Sequence, residues 1–267
     1  MKRVHVLALM TATAAAAAGL VLAQTPPAVT GYLTPETAPV AADILPPAPQ
    51  PGSAREMQDH AIYTATRAMA GSPRWQLAAR DNDATVPASL GHFSCAMGAT
   101  LTPETYPRLT LLLRRVIRDT IAAQAAAKHA FLRPRPYFIY GGEICVPRTD
   151  SLDNSTDYPS GHATWGWAAA LVLSEVAPDR ATPILVRGRA FGESRAVCGM
   201  HTASAVEAGR TTGAAVVAAE HGSAEFRADV EAARQEFAAQ RAAHAPAPDA
   251  ETCQAEAALT ARTPYPY

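Results

Sequence analysis

Residues 159–176 read PSGHATWGWAAALVLSEV, and this stretch decides the fold. Ser160 is a candidate N-cap, because its hydroxyl can accept a hydrogen bond from a free N–H group in the first turn of a helix. From His162 to about Val176 the residues are almost all apolar or small, Trp165 among them. A helix that is apolar on every side is buried nearly all round. We therefore predict a buried helix at the centre of a helical domain.

Helical spacing of apolar residues continues on both sides of this stretch. It covers residues 54–81 apart from a break at Gly71-Ser72-Pro73, residues 109–131 after a start signal at Thr102-Pro103, a segment that begins at Thr182-Pro183, and residues 202–221 and 224–243. Only residues 137–140 read as a short extended piece. The chain contains no internal repeat and no glycine-rich nucleotide loop. We therefore expect one all-α domain over residues 54–267.

The N-terminal part of the chain has two compositions. Lys2 and Arg3 precede an apolar, alanine-rich run that ends at Ala23, which is typical of a secretory signal peptide over residues 1–23. An uncleaved membrane anchor is the alternative. Residues 24–53 contain eight prolines, so we expect an extended arm that lies on the domain or clasps a second subunit. The expected location is the periplasm or the outside of the cell.

The charge of the chain is nearly balanced, with 23 basic and 24 acidic side chains. This balance excludes a protein that coats nucleic acid, and no later stretch is long and apolar enough to span a membrane. An even number of cysteines favours one or two disulfides in an oxidising compartment, and their spacing is not that of a zinc site. Three pairings of the four cysteines are possible: they are Cys95, Cys145, Cys198 and Cys253.

The first of three chemically suggestive stretches is basic. Lys128, near the end of a predicted helix, is followed seven residues later by Arg135, which has a proline on either side. These prolines lower the entropy cost of aiming the guanidinium. A bidentate fork together with a point charge suits a phosphate group, whereas a solvated basic loop is the alternative interpretation.

The other two stretches each begin a predicted helix. Ser160, Gly161 and His162 combine a hydroxyl, a residue without a side chain and free backbone N–H groups, which together favour an anion. Arg195 and His201 likewise precede the helix that is predicted to open at Thr202. An ordinary N-cap with a histidine in the first turn is the alternative for the first of these.

Three motifs occur in order along the chain: Lys-x6-Arg-Pro, Pro-Ser-Gly-His and Ser-Arg-x5-His. Together they resemble the signature of the type-2 phosphatidic-acid phosphatase superfamily. This superfamily includes the bacterial class A non-specific acid phosphatases and the vanadium-dependent haloperoxidases. Gly31-Tyr32-Leu33 and Gly71-Ser72-Pro73-Arg74-Trp75 also resemble the secreted class A phosphatases. The resemblance implies an all-α domain of the acid phosphatase and vanadium haloperoxidase type.

The resemblance also implies a function. It is that of a secreted acid phosphatase without metal or cofactor, acting on small phosphate monoesters, with nucleotides among the candidate substrates. Inorganic phosphate or vanadate would bind the same site, and assembly into a homo-oligomer is a further expectation. Neither nucleic acid nor a membrane is an expected partner.

Each group of the signature receives a role from the resemblance. His201 would attack phosphorus and form a phosphohistidine, while His162 would protonate the leaving alcohol and later activate water. The nonbridging phosphate oxygens would be bound by five groups: Lys128, Arg135, Ser160, the Gly161 N–H and Arg195.

The sequence departs from the family pattern at one position. The pattern continues to an aspartate, four residues after the nucleophilic histidine, that accepts the imidazole N–H group, whereas this chain has Ala205 there. Ser204, or a carbonyl or carboxylate from elsewhere in the chain, could accept instead, while Glu207 points from a different helix face. A catalytically weakened phosphate-binding protein is therefore one alternative. A vanadate-dependent haloperoxidase is another, although such enzymes are usually much longer.

The chain has only two lysines, Lys2 and Lys128. If the signal peptide is removed, Lys128 is the single lysine of a chain that otherwise uses arginine. We therefore predict that Lys128 supplies a compact point charge where a guanidinium would not fit.

Overall fold

The computed structural model describes residues 29–265, and the predicted signal peptide at residues 1–23 lies outside them. Within residues 29–265 the regular structure is helical, with no β-strand. The α-helices in chain order are α1 (Ala41–Ile44), α2 (Ala54–Arg67), α3 (Pro73–Arg80), α4 (Val86–Met97), α5 (Pro107–Phe131), α6 (Pro136–Ile139), α7 (Asp150–Asp153), α8 (Gly161–Val176), α9 (Ala181–Val197), α10 (Ala203–Glu220), α11 (Ala224–Ala242) and α12 (Ala250–Thr260). The all-α prediction is confirmed.

Helix α8 is the central element, as its composition predicts. The Ser160 hydroxyl caps it by accepting a hydrogen bond from Ala163 N–H at 3.3 Å. The helix packs against α5, α9 and α10, and Trp165 lies in the core with its indole N–H donating to the Ser89 hydroxyl at 2.9 Å. Burial on several sides explains why this helix carries almost no polar face.

Two glycines on one face of α10 allow it to approach α8 closely. A Cβ atom at Gly209 would lie 2.4 Å from the Ser160 carbonyl oxygen, and one at Gly213 would lie 2.5 Å from that of Thr164. Any larger side chain would push the two helices apart. Their close packing holds the N-terminal ends of α8 and α10 together, and both ends carry predicted site residues.

The segment that precedes α2 lies on the domain over its described part. Tyr32 is buried, and its backbone N–H donates to the Asp119 carboxylate at 2.7 Å. Farther along, Ala41 and Leu45 are buried in an apolar cluster with Tyr158. The proline-free run between Pro39 and Pro46 forms one helical turn, α1, so this segment is not extended throughout.

Two local predictions are wrong. Residues 137–140 are not extended, because Pro136 occupies the first position of α6 and Tyr140 N–H donates to the Pro136 carbonyl at 2.7 Å. Helix α5 begins at Pro107 and not at Thr102, whose hydroxyl accepts from Thr105 N–H and closes only a single turn. In both places a proline at the first helical position sets the true start.

Two disulfides join distant parts of the domain. The pairs are Cys95 with Cys253 and Cys145 with Cys198, which resolves the three pairings that the sequence leaves open. The first ties α12 to α4. The second ties the segment before α7 to the end of α9, next to the loop that carries His201. Among residues 29–265 no helix combines the length and hydropathy that crossing a membrane requires.

Candidate active site

The site forms where four chain segments meet at the N-terminal end of α8. They are the end of α5 with the loop after it, the first turn of α8, the end of α9, and the loop before α10. The structure brings all seven predicted site residues to this place: Lys128, Arg135, Ser160, Gly161, His162, Arg195 and His201. Residues far apart in sequence thus form one cluster of cations, histidines and backbone N–H groups.

The hydrogen bonds of His201 define its neutral tautomer. The imidazole Nδ1 lies 2.7 Å from the main-chain carbonyl oxygen of Asp157, which can only accept, so Nδ1 carries the proton. The other nitrogen, Nε2, accepts a hydrogen bond from Arg135 Nη1 at 3.0 Å. His201 therefore presents a lone pair at Nε2 toward the basic residues, which is the form that a nucleophile requires.

The surroundings of His201 keep it unprotonated. Burial first, and then the positive charges of Arg135, Lys128 and Arg195, hold the pKa of His201 well below its usual value. Only 2% of the residue is exposed. The free imidazole is therefore available for attack at acidic pH, where an ordinary histidine would be charged.

His162 lies at the first turn of α8 with a different environment. Its Nε2 donates to the main-chain carbonyl of Asn82 at 2.9 Å, and the residue is partly exposed. Burial and the neighbouring Arg195 charge hold the pKa of His162 well below its usual value, while the Asn82 carbonyl opposes this shift. A negatively charged ligand would raise that pKa, so the proton on His162 depends on what the site binds.

Arg195 carries the clearest sign of an anion site. Its Nη2 donates to the Asn82 side-chain oxygen at 3.1 Å, but its Nε and Nη1 atoms are buried and have no hydrogen-bond partner among residues 29–265. Burial and the charge of Arg135 lower the pKa of Arg195 to about 9. Buried guanidinium donors without acceptors are costly, and an oxyanion would satisfy them.

Lys128 and Arg135 are anchored by main-chain carbonyl oxygens. Lys128 Nζ donates to the Thr156 carbonyl at 2.6 Å, and Arg135 donates to the carbonyls of Ser155 and Met200 at 3.0 and 2.9 Å. Partial burial and the charge of Arg135 lower the pKa of Lys128 to about 8. Carbonyl oxygens thus aim both cations without neutralising them.

Gly161 has a structural reason to lack a side chain. A Cβ atom there would lie 2.2 Å from the side-chain oxygen of Gln124 on α5. The glycine lets α5 approach the start of α8. The main-chain hydrogen bonds of α8 begin with Thr164 N–H, which donates to the Ser160 carbonyl, so the N–H groups of Gly161 and His162 have no acceptor within the helix. These N–H groups add partial positive charge to the site.

The structure adds two residues that sequence reasoning missed. Asn82 contacts His162 through its main chain and Arg195 through its side chain, from a position before α4 that carries no motif. Asp157 contacts His201 Nδ1 with its main-chain oxygen and, at 3.0 Å, with carboxylate oxygen Oδ1. Asp157 directly precedes the Tyr158-Pro159-Ser160 stretch, and an acid beside the motif was the only available signal.

The structure distinguishes between the groups that could accept the His201 N–H group in place of an aspartate at position 205. Ser204 does not contact His201, because its hydroxyl and backbone N–H both donate to the Asp59 carboxylate, at 2.5 and 2.8 Å. Glu207 pairs with Arg55 on the surface, in agreement with its expected direction. Ala205 itself is buried beside Tyr158 and Leu45. The group that meets His201 comes instead from elsewhere in the chain, at Asp157.

Comparison with known proteins shows the family of this chain. The family description of the PAP2 superfamily matches residues 109–227, which include Lys128, Arg135, α8 and His201. The chain is 40% identical over 202 residues to an acid phosphatase of Zymomonas mobilis, a match that covers 75% of this chain and 76% of that protein. The chain therefore belongs to the PAP2 superfamily, in its group of bacterial non-specific acid phosphatases.

Two further relatives carry that group's name. A non-specific acid phosphatase of Providencia stuartii is 37% identical over 195 residues, covering 72% of this chain and 79% of that protein. A non-specific acid phosphatase of Salmonella typhimurium is 37% identical over 171 residues, covering 63% and 68%. The similarity extends beyond the superfamily match into the N-terminal part of the domain.

Proposed function

We propose that this chain is a secreted acid phosphatase that hydrolyses small phosphate monoesters through a phosphohistidine intermediate, without a metal ion. The observation that carries the proposal is the state of His201, whose Nε2 lone pair faces Arg135 at 3.0 Å while Nδ1 is held by Asp157. A nucleophile, fixed cations and a second histidine at a helix N-terminus are the parts that phosphoryl transfer needs.

In the first step His201 Nε2 attacks phosphorus. A bond forms between Nε2 and phosphorus, the bond from phosphorus to the ester oxygen breaks, and the leaving alkoxide takes a proton from His162. In the second step water attacks phosphorus and gives a proton to His162. The bond between phosphorus and Nε2 then breaks, which releases phosphate and restores both histidines.

The basic groups stabilise the charge of the transferring phosphoryl group. Arg195 offers Nε and Nη1, which are buried and have no partner within residues 29–265, and the charges of Lys128 and Arg135 act on the same histidine, His201. Fixed charges in a low-dielectric site need no reorganisation during the reaction. They supply the electrostatic role that a metal ion takes in other phosphatases, so metal-independent turnover is the expectation.

Two alternatives lose their support. The weakened phosphate-binding protein rested on a missing acceptor for the His201 N–H group, and Asp157 offers two acceptors. No feature of the described residues favours a haloperoxidase, and the relatives reported above are named phosphatases.

Secretion is supported by the N-terminal pattern and by the two disulfides, which form in oxidising compartments. A homo-oligomer stays a prediction.

The deciding experiment measures hydrolysis of p-nitrophenyl phosphate at about pH 5 to 7 with EDTA present. The wild type should be active, and His201→Ala should lose activity by about 10³-fold or more. Loss of wild-type activity in EDTA would exclude the metal-free mechanism. Full activity of His201→Ala would exclude the nucleophile.

His162 is tested by the leaving group. We expect His162→Asn to lose far more activity on an alkyl phosphate such as glycerol phosphate than on p-nitrophenyl phosphate, because p-nitrophenolate departs readily without a proton. Equal losses on both substrates would contradict its role as the general acid.

A further inference from the structure

We propose that Asp157 is the positioning residue of His201, in a chain whose usual orienting position is occupied by Ala205. This inference rests on the proposed function, because it concerns the same nucleophile. It assigns to a residue on the loop before α8 the task that the family pattern gives to the first turn of α10.

The carboxylate of Asp157 is aimed by three donors. Oδ1 accepts from His201 Nδ1 at 3.0 Å and from Thr202 N–H at 3.1 Å, while Oδ2 accepts from the Thr202 hydroxyl at 2.7 Å. The side chain has no solvent exposure. A buried carboxylate with this many fixed partners has one orientation, which in turn fixes the plane of the imidazole ring.

A buried arginine completes the support. Arg133 Nη1 lies 3.4 Å from Asp157 Oδ2 and 2.9 Å from Asp59 Oδ2, and the main-chain oxygen of Arg133 accepts from Asp157 N–H at 2.8 Å. Burial raises the pKa of Asp157, and the Arg133 charge and the hydrogen bonds from Thr202 oppose that rise. Removing one carboxylate leaves Arg133 paired with the other, so its charge stays compensated.

The main-chain oxygen and the carboxylate have different tasks. The carbonyl, at 2.7 Å, is sufficient to keep the proton on Nδ1. When Nε2 bonds to phosphorus and the ester bond breaks, the ring retains the Nδ1 proton and becomes positively charged. The carbonyl dipole favours that charge, and the carboxylate, which carries a full negative charge, stabilises it further, as the acid of a catalytic triad does for its histidine.

The position of Ala205 agrees with this assignment. Its methyl group is buried in the apolar cluster that includes Tyr158 and Ala41. A carboxylate introduced there would either lie among apolar groups or compete with Asp157 for a single N–H group. Neither arrangement would help His201.

The test compares two isosteric variants of the same network. Asp157→Asn should lower kcat for p-nitrophenyl phosphate by about 10- to 100-fold with little change in KM, because the carbonyl still fixes the tautomer and only the charge is lost. Asp59→Asn removes the other carboxylate that pairs with Arg133. The Asp59 carboxylate has no hydrogen bond to His201, so this variant should keep kcat within about threefold of the wild type. Equal loss in both variants, or an unchanged kcat in Asp157→Asn, overturns the proposal.

A readout independent of turnover is the titration of His201. The titration is followed by NMR of ¹⁵N-labelled protein. Relative to the wild type, the His201 pKa should fall further in Asp157→Asn than in Asp59→Asn, because a nearby negative charge favours the imidazolium. The same His201 pKa in both variants contradicts the assignment.

The Ala205→Asp variant remains decisive even if Asp157→Asn does not fold. Turnover should be unchanged or reduced, since the acceptor is already present, and a rise in kcat overturns the proposal. The His201→Ala assay keeps the two levels apart. An inactive His201→Ala with a fully active Asp157→Asn refutes only the positioning residue, whereas a fully active His201→Ala refutes the proposed function itself.

Discussion

Among the charged residues of the site, Lys128 is distinguished by its chemistry. Its ammonium donates to the Thr156 carbonyl at 2.6 Å, and its pKa is lowered to about 8 by burial and by Arg135. An arginine holds its proton more strongly than a lysine and occupies more space in one plane. The position between a carbonyl and a guanidinium thus favours a small cation whose charge is gained fully when an anion binds.

Lys128→Arg should therefore lower kcat/KM by about 10- to 100-fold while the unfolding free energy changes by less than about 1 kcal/mol. Steady-state kinetics and urea unfolding measure the two quantities. Arg118→Lys, an exposed exchange on the same helix, is the matched control and should change neither. If Lys128→Arg has wild-type kcat/KM, the identity of this residue reflects only the arginine preference of the chain.

At the scale of elements, α5 and α10 bury two acidic groups against each other. Asp119 accepts from the backbone N–H groups of Tyr32 and Leu33, at 2.7 and 3.4 Å, which fastens the N-terminal segment to α5. Glu220, at the end of α10, has no exposed surface. Burial and the neighbouring Asp119 carboxylate raise the pKa of Glu220 to about 9, so the folded protein holds Glu220 protonated at neutral pH.

The sign of this effect can be tested with Glu220→Gln. Folding raises the pKa of Glu220. Above the ordinary pKa of a glutamate the unfolded chain has released this proton, whereas the folded protein still binds it. The free energy of unfolding therefore falls as the pH rises toward about 9. The neutral glutamine avoids this loss. Urea unfolding should show the variant at least about 1 kcal/mol more stable than the wild type at about pH 8, and no such gain at about pH 4. Glu231→Gln, half-exposed on α11, is the control and should show no pH-dependent gain.

At the scale of the whole molecule, the packing of α8 against α5, α9 and α10 assembles charges that repel one another. Burial and basic neighbours lower the pKa of four of these groups, and burial alone lowers that of Arg135; the four are Lys128, Arg195, His162 and His201. The fold therefore holds a site that is unfavourable when empty of negative charge. Binding of a phosphate ester relieves that repulsion and raises these pKa values.

The pH profile should reflect this assembly. In the free enzyme His201 stays neutral at acidic pH because its pKa is lowered. His162 loses its proton below neutral pH, because its pKa is lowered too. The bell-shaped profile of kcat/KM should thus have its maximum below about pH 6.5, and the profile of kcat should extend to higher pH, because bound substrate raises the pKa of His162. Kinetics from about pH 4 to about pH 9 will measure both. A flat profile, or a kcat/KM maximum above about pH 7, would contradict the assignment of the two histidines.

Much of the fold follows from local sequence. Apolar periodicity and capping residues locate α3, α8, α10 and α11 and the starts of α2 and α9 to within a residue or two, whereas α2 ends at Arg67, before the break at Gly71. Helices α4 and α12 were not predicted, although each begins at a capping side chain, Thr85 and Asp249 respectively; the disulfide between Cys95 and Cys253 joins them. The short α6 escaped because Pro136 at its first position outweighs the strand preference of the aromatic residues that follow.

The sequence by itself determined the helical class, because capping residues, prolines and apolar spacing act within a few positions of one another, and its three motifs predicted seven candidate site residues. Only the tertiary structure decided how the cysteines pair, that Asn82 joins His162 to Arg195, and that Asp157 holds His201 where Ala205 cannot. The physical reason is range. Hydrogen bonds and charge repulsion in a buried site depend on distances in space, and those distances are set by the close packing of α8 with its neighbouring helices.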